Sequence, residues 1–243
     1  MFERHAPVCK LLHCLDHHLL ERLGIFFGGG TAIALRLHEF RVSTDIDLFC
    51  RDDNALYAAR HIAVEEGAEN FFSQDVTVTT QRVDRNGIKL FVTAGETEVK
   101  CEIFNLALFP IMGERTGLFP VPTLTPYELF TAKLFSNANR FMDSSTKNKD
   151  IIDLGAMLNA WGEMPRAVWE TAYSKYGQAD IDGAFRKATA RLLSRKELRM
   201  TEDCLGISHA DTKLIAKALV AECRRMESRP PGLSETDIVG PSL

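Results

Sequence analysis

The sequence predicts an α+β protein in which a mixed sheet is followed by an α-helical domain. Apolar residues recur with a period of two across much of residues 75–106, and with a period of 3.6 beyond residue 126. Between residues 25 and 50 a hydrophobic strand, a glycine turn, a short helix and a second strand follow one another. Pro110 to Pro126, with four prolines and two glycines, separates the two patterns. The expected organisation is therefore an α/β domain over residues 1–122, a helical domain over 123–228, and a flexible tail over 229–243 rich in Pro, Gly and Ser.

The elements follow in order. Residues 8–22 carry apolar positions three and four apart and read as one amphipathic helix, ended by Gly24. The same segment holds Cys9, His13, Cys14, His17 and His18. Several of these are four apart and could meet around zinc on a helix. Leu11, Leu12, Leu15, Leu19 and Leu20 favour a packed helix with histidines at its margin. Ile25-Phe26-Phe27 reads as a buried strand, residues 31–40 as a short helix and residues 44–50 as a strand. Asn54 is the expected N-cap of a helix over 55–66, which Gly67 ends. Three strands follow over 75–84, 88–93 and 98–106, with a hairpin at Asn86-Gly87.

Thr125-Pro126-Tyr127-Glu128 is a helix start. Leu129, Phe130, Leu134 and Phe135 face inward from that helix, and Lys133 lies within the same apolar stretch. A helix over 144–161 puts Asp150 and Asp153 on one face. Residues 166–227 remain helical around Trp169, Phe185, Leu192 and Leu219. Lys187, Arg191, Arg195 and Arg199 are four apart, so a basic stripe on one helix is expected.

An apolar fraction of 45% and a charged fraction of 26% are ordinary for a soluble globular protein. No apolar run approaches the roughly 20 residues of a membrane span. Met1 to His5 lacks the basic start of a signal peptide, and the six cysteines form no compact framework. The expectation is a cytoplasmic protein with reduced thiols and no membrane partner. A net charge of −4 argues against indiscriminate nucleic-acid binding. Residues 1–122 hold 12 Lys+Arg and 17 Asp+Glu, whereas residues 123–243 hold 17 and 16.

The chemistry concentrates between Phe26 and Phe49. Asp45 and Asp47 alternate with Ile46 and Leu48, so in a strand both carboxylates face one way. Like charges on one face repel unless compensated. Mg²⁺, which takes one or two carboxylates plus substrate phosphates, is a natural compensator. Gly29 and Gly30 lack Cβ atoms and let backbone N–H groups approach an anion, and the helix after them presents its positive dipole end. A triphosphate on the glycine turn with Mg²⁺ or Mn²⁺ on the aspartates is the resulting hypothesis. The alternative is a glycine helix entry beside a surface strand with two solvated acids.

Gly29-Gly30-Thr31 followed by Arg41-x-Ser43-x-Asp45-Ile46-Asp47-Leu48-Phe49 resembles the DNA polymerase β-type nucleotidyltransferases, and within them the AbiEii/AbiGii abortive-infection toxins. Ala132-Lys133-Leu134 and Lys149-Asp150-Ile151-Ile152-Asp153-Leu154 resemble two later motifs of that branch. The likeness covers residues 25–160. It implies a polymerase β-type fold and transfer of a nucleoside monophosphate from NTP to a hydroxyl. It also implies Asp45 and Asp47 as metal ligands, and Gly29, Gly30 and Thr31 around phosphate. Arg41 and Ser43 would brace the turn or touch phosphate, Lys133 would neutralise the triphosphate, and Asp150 would stand at the cleft. Glu102, where the family often has an Asp, is the candidate third acid. Its alternative is a solvated strand residue. The acceptor implied is tRNA or another macromolecule, and the partner a cognate antitoxin. A small-molecule, antibiotic-modifying transferase and a catalytically lapsed nucleotide-binding module are the competing readings.

Overall fold

The computed structural model describes residues 5–228, and the expected tail over 229–243 lies outside them. The chain opens with α1 (Ala6–Cys14), α2 (His17–Leu23), β1 (Ile25–Gly28), α3 (Gly29–Arg36), β2 (Ile46–Cys50) and α4 (Asp53–His61). A π turn (Ile62–Gly67) and a 3-10 turn (Ala68–Phe71) lead into β3 (Thr77–Asp84), β4 (Gly87–Thr93) and β5 (Glu98–Phe104). The short strands β6 (Gly113–Glu114) and β7 (Thr123–Leu124) follow. Then come α5 (Pro126–Arg140), α6 (Lys149–Trp161), α7 (Arg166–Tyr176), α8 (Gln178–Leu192), α9 (Arg195–Leu205) and α10 (His209–Glu227).

The strands form one mixed sheet in the order β3-β4-β5-β2-β1-β7-β6. β2 pairs parallel with β5 and β1 parallel with β7, and the other pairings are antiparallel. Strand alternation sorts the two faces. Ile25, Phe27, Ile46, Leu48, Ile88, Leu90, Cys101 and Ile103 pack into a core with residues of α1, α2 and α4. Asp47, Lys89 and Glu102 point to the other face. A second core there joins Phe49 and Ile33 to α5, α6, α7, α8 and α10. β7 belongs to the sheet, so its last pairing falls just past residue 122.

Several elements differ from expectation for local reasons. The helix expected over 8–22 is two helices, because Asp16 caps the second by accepting from Leu19 N at 3.0 Å and Leu15 bridges to Phe72. The helix expected over 31–40 ends at Arg36, since His38 and Glu39 adopt left-handed backbone that turns the chain back. Asp52, not Asn54, caps α4. A turn at Ser144–Thr146 precedes α6, which starts only at Lys149. The zinc alternative gains nothing, because no metal-binding group of three or more His, Cys, Asp or Glu is assembled among the described residues.

The basic stripe is also redistributed. Ser194 breaks the helix and caps α9, leaving Lys187 and Arg191 on α8 and Arg195 and Arg199 on α9. Arg191 is committed inward, where it donates to Asn148 Oδ1 from two nitrogens. These four residues do not form one docking stripe on one helix.

Candidate nucleotide site

A cleft of about 690 Å³ opens between the acid-bearing sheet face and α5 and α6. Gly29, Gly30, Arg41, Ser43, Asp45, Asp47, Glu102 and Lys133 all line it. Thr31 and Asp150 stand behind the lining. The register explains how the sheet wall is built. Gly28 pairs with Asp47, Asp47 with Glu102, Glu102 with Lys89, and Lys89 with Arg82. One row across five strands thus runs from the glycine turn through two acids to two cations.

Gly29 starts α3 with φ of +69°, a conformation that favours glycine. A Cβ placed there would lie 2.0 Å from Asp47 Oδ2, so the Asp47 carboxylate rests directly against the turn. A Cβ on Gly30 would lie 2.3 Å from Arg41 Nη2. The glycines therefore make room for an acid on one side and a guanidinium on the other. Thr31 Oγ1 donates to Ser43 Oγ at 3.0 Å, which ties the turn to the loop before β2. Ser43 N in turn donates to His5 Nε2 at 3.2 Å.

Arg41 is buried and braces the turn. It donates to both oxygens of the fully buried Asp153, at 2.6 and 2.8 Å, and to the Val42 carbonyl. Lys133 Nζ lies 2.8 Å from Asp153 Oδ2 and 3.2 Å from Asp150 Oδ1. Arg140 holds Asp150 through two nitrogens at 2.6 and 2.8 Å. Lys133 thus makes two ion pairs and also lines the cleft. Burial pushes the Asp150 carboxyl up, but Lys133 and Arg140 outweigh it and hold the group down at about 2.

This wall carries an excess of positive charge. Arg41, Lys133 and Arg140 form their ion pairs with Asp150 and Asp153, and Lys149 adds a fourth cation to the lining. Lys149 lines the cleft, and burial together with Arg140 and Lys133 pushes its ammonium below the usual range. The facing wall is acidic. Asp47 is raised by burial, against the pull of Lys133, and further by Asp45 and Glu102. Glu102 is not bare: Lys89 lies 3.0 Å from one oxygen and Lys100 2.5 Å from the other. Lys100 also lies 3.3 Å from Asp45 Oδ2. The ammonium of Lys100 therefore lies where a shared cation between Asp45 and Glu102 would lie. Among the described residues the three acids are not gathered into a preformed metal site.

Sequence reasoning missed Lys89, Lys100 and Arg140. Lys100 had a signal, since it stands two residues before Glu102 and so shares its strand face. Lys89 required the strand register, and Arg140 required the packing of α5 on α6.

The family model of the nucleotidyl transferase AbiEii toxins, of type IV toxin–antitoxin systems, matches residues 12–219. No curated protein matches the chain. Among solved structures, an antigenic nucleotidyltransferase-like protein from Paracoccidioides brasiliensis is 16% identical with a TM-score of 0.45, covering 80% of this chain and 89% of that one. JHP933 from Helicobacter pylori is 16% identical with a TM-score of 0.42, over 88% and 95%. MenT4, a nucleotidyltransferase toxin from Mycobacterium tuberculosis, is 15% identical with a TM-score of 0.35, over 88% and 92%. With the family model spanning most of its length, the chain belongs to the AbiEii nucleotidyl transferase toxins.

Proposed function

We propose that this toxin transfers a nucleoside monophosphate from an NTP to a hydroxyl of a macromolecular acceptor, with tRNA the leading candidate, and releases pyrophosphate. The observation that carries the reading is the opposition of charge across one cleft. An acid wall headed by Asp47 faces a wall with more cations than carboxylates. A polyphosphate carrying a divalent cation would satisfy both, with its oxygens against the cationic wall and the metal against the acids.

The residues fit a hard divalent cation on Asp45 and Asp47, whose carboxylate oxygens match the chemistry of Mg²⁺ or Mn²⁺. When bound, such an ion supplies neutralisation of charge on the reacting phosphoryl oxygens. The chain does the rest by positioning. Gly29 and Gly30 let phosphate approach the start of α3, where the dipole end of the helix is positive. Arg41 fixes the turn from behind through Asp153. Lys133 and Lys149 face the cleft as point charges for phosphate, and Asp150 keeps Lys133 and Arg140 aligned.

The toxin family supports a cognate antitoxin. Arg82 and Lys89 at the cleft rim support an acceptor carrying phosphates. The test incubates the protein with each labelled NTP and Mg²⁺, adding either total tRNA or a panel of aminoglycosides. Label is expected on tRNA. Label on an aminoglycoside instead would move the acceptor to the small-molecule class, and label on neither would leave nucleotide binding alone.

A further inference from the structure

Lys100 contacts two of the three acids on the sheet wall, and the transfer reaction assigns it no role. Its position follows from register. Ile46 pairs with Cys101 and Asp47 with Glu102 across the parallel β2–β5 pair. Lys100 is therefore level with Asp45, one step before the strand begins. Alternation puts Lys100 and Glu102 on the cleft face together. The outcome is one ammonium 3.3 Å from Asp45 Oδ2 and 2.5 Å from Glu102 Oε2. The second Glu102 oxygen is held separately by Lys89 at 3.0 Å.

We propose that Lys100 is the resident counter-ion of the acid wall, and that a divalent cation gains Asp45 only by displacing it. The proposal rests on the assignment of a cation to Asp45 and Asp47 made above. An ammonium and a hard cation are alternatives for the same carboxylate oxygen, because each is a compact, strongly hydrated positive charge. Lys100 sits on a flexible four-carbon stem and is partly exposed, so it can leave Asp45 while keeping Glu102. It lines the cleft, where the phosphates of a bound nucleotide are the anions within its reach. Cation loading is thereby tied to nucleotide binding. Without nucleotide, Lys100 competes for Asp45. With nucleotide, it has somewhere else to go.

The experiment is a titration of nucleotide-free protein with Mn²⁺, following free aqueous Mn²⁺ by electron paramagnetic resonance. The proteins are the parent, Lys100→Met, Lys100→Gln, Lys100→Arg and Asp47→Asn, each checked by circular dichroism. An opposite charge within hydrogen-bonding range alters the proton affinity of a carboxylate by about 10- to 1000-fold. The same competition predicts Mn²⁺ binding at least about tenfold tighter in the Met and Gln variants. Lys100→Arg, which keeps the charge, should stay near the parent. Unchanged or weaker binding in either folded neutral variant overturns the proposal. Parental Mn²⁺ binding in Asp47→Asn overturns instead the assignment of the cation to the acid pair.

Discussion

Asp47 is the residue on which most of the site converges. It lies against the glycine turn, pairs in register with Glu102, and is strained electrostatically by burial and by two acid neighbours. Its raised folded pKa sets the sign of the pH dependence. The folded state holds the proton more tightly than the unfolded chain, so stability falls as pH rises from the ordinary carboxylate range through the folded pKa. Asp47→Asn removes this cost. In EDTA at pH 7 the variant should melt about 2 °C or more above the parent, and the gain should vanish below the unfolded carboxylate range. Transfer activity should be abolished. Paired melts across pH check the first part, and a lower melting temperature at pH 7 would make Asp47 a structural anchor.

Asp153 has the opposite character. It is fully buried and joins Arg41 to Lys133. Asp153→Asn leaves two buried cations short of a partner and should cost about 3–5 kcal/mol in urea unfolding. A loss under 1 kcal/mol would show that Asp150 alone balances the wall. The contrast between these two aspartates was only half legible in the sequence. The alternation of Asp45-Ile46-Asp47-Leu48 announces a shared face, which both residues keep in lining the cleft. That Asp150 and Asp153 lie on one face of a helix also follows from spacing. Which cation each meets does not, because Arg41 is 112 residues from Asp153.

At the level of elements, the glycine turn before α3 is the part most narrowly specified by sequence. Gly29→Ala places a Cβ on the Asp47 carboxylate and demands left-handed backbone of alanine, which costs about 1–2 kcal/mol before any clash. NTP affinity should drop by tenfold or more by calorimetry, while Gly162→Ala, also at positive φ but with nothing near its Cβ, should leave it unchanged. Equal NTP affinities for Gly29→Ala and the parent would detach the turn from the site. The elements that were misread share a physical reason. Periodicity finds apolar faces and is blind to single caps, so Asp16 and Ser194 each split a predicted helix by satisfying backbone N–H groups at its interior. The second of these splits is what divided the expected basic stripe between α8 and α9.

At the scale of the whole molecule, the two predicted halves meet in one chemical surface. The sheet was legible as far as its strands, hairpin and acid pair. Its strand order was not, because the parallel β2–β5 and β1–β7 pairings join segments far apart in sequence. That order matters, since it sets Asp47 beside Glu102 and leads the row onward to Lys89 and Arg82. The helical half supplies the opposite wall, where Lys133, Arg140 and Lys149 stand against Asp150 and Asp153. The central claim is that a nucleotide bridges these walls and gives up its α-phosphoryl group. It is tested most directly by supplying NTP labelled on the α- or the γ-phosphate, with Mg²⁺ and total tRNA, to the parent and to Asp47→Asn. The account predicts α-label on the acceptor, γ-label in pyrophosphate, and neither with the variant or in EDTA. Retention of α-label transfer by Asp47→Asn, or γ-label on the acceptor, would contradict it.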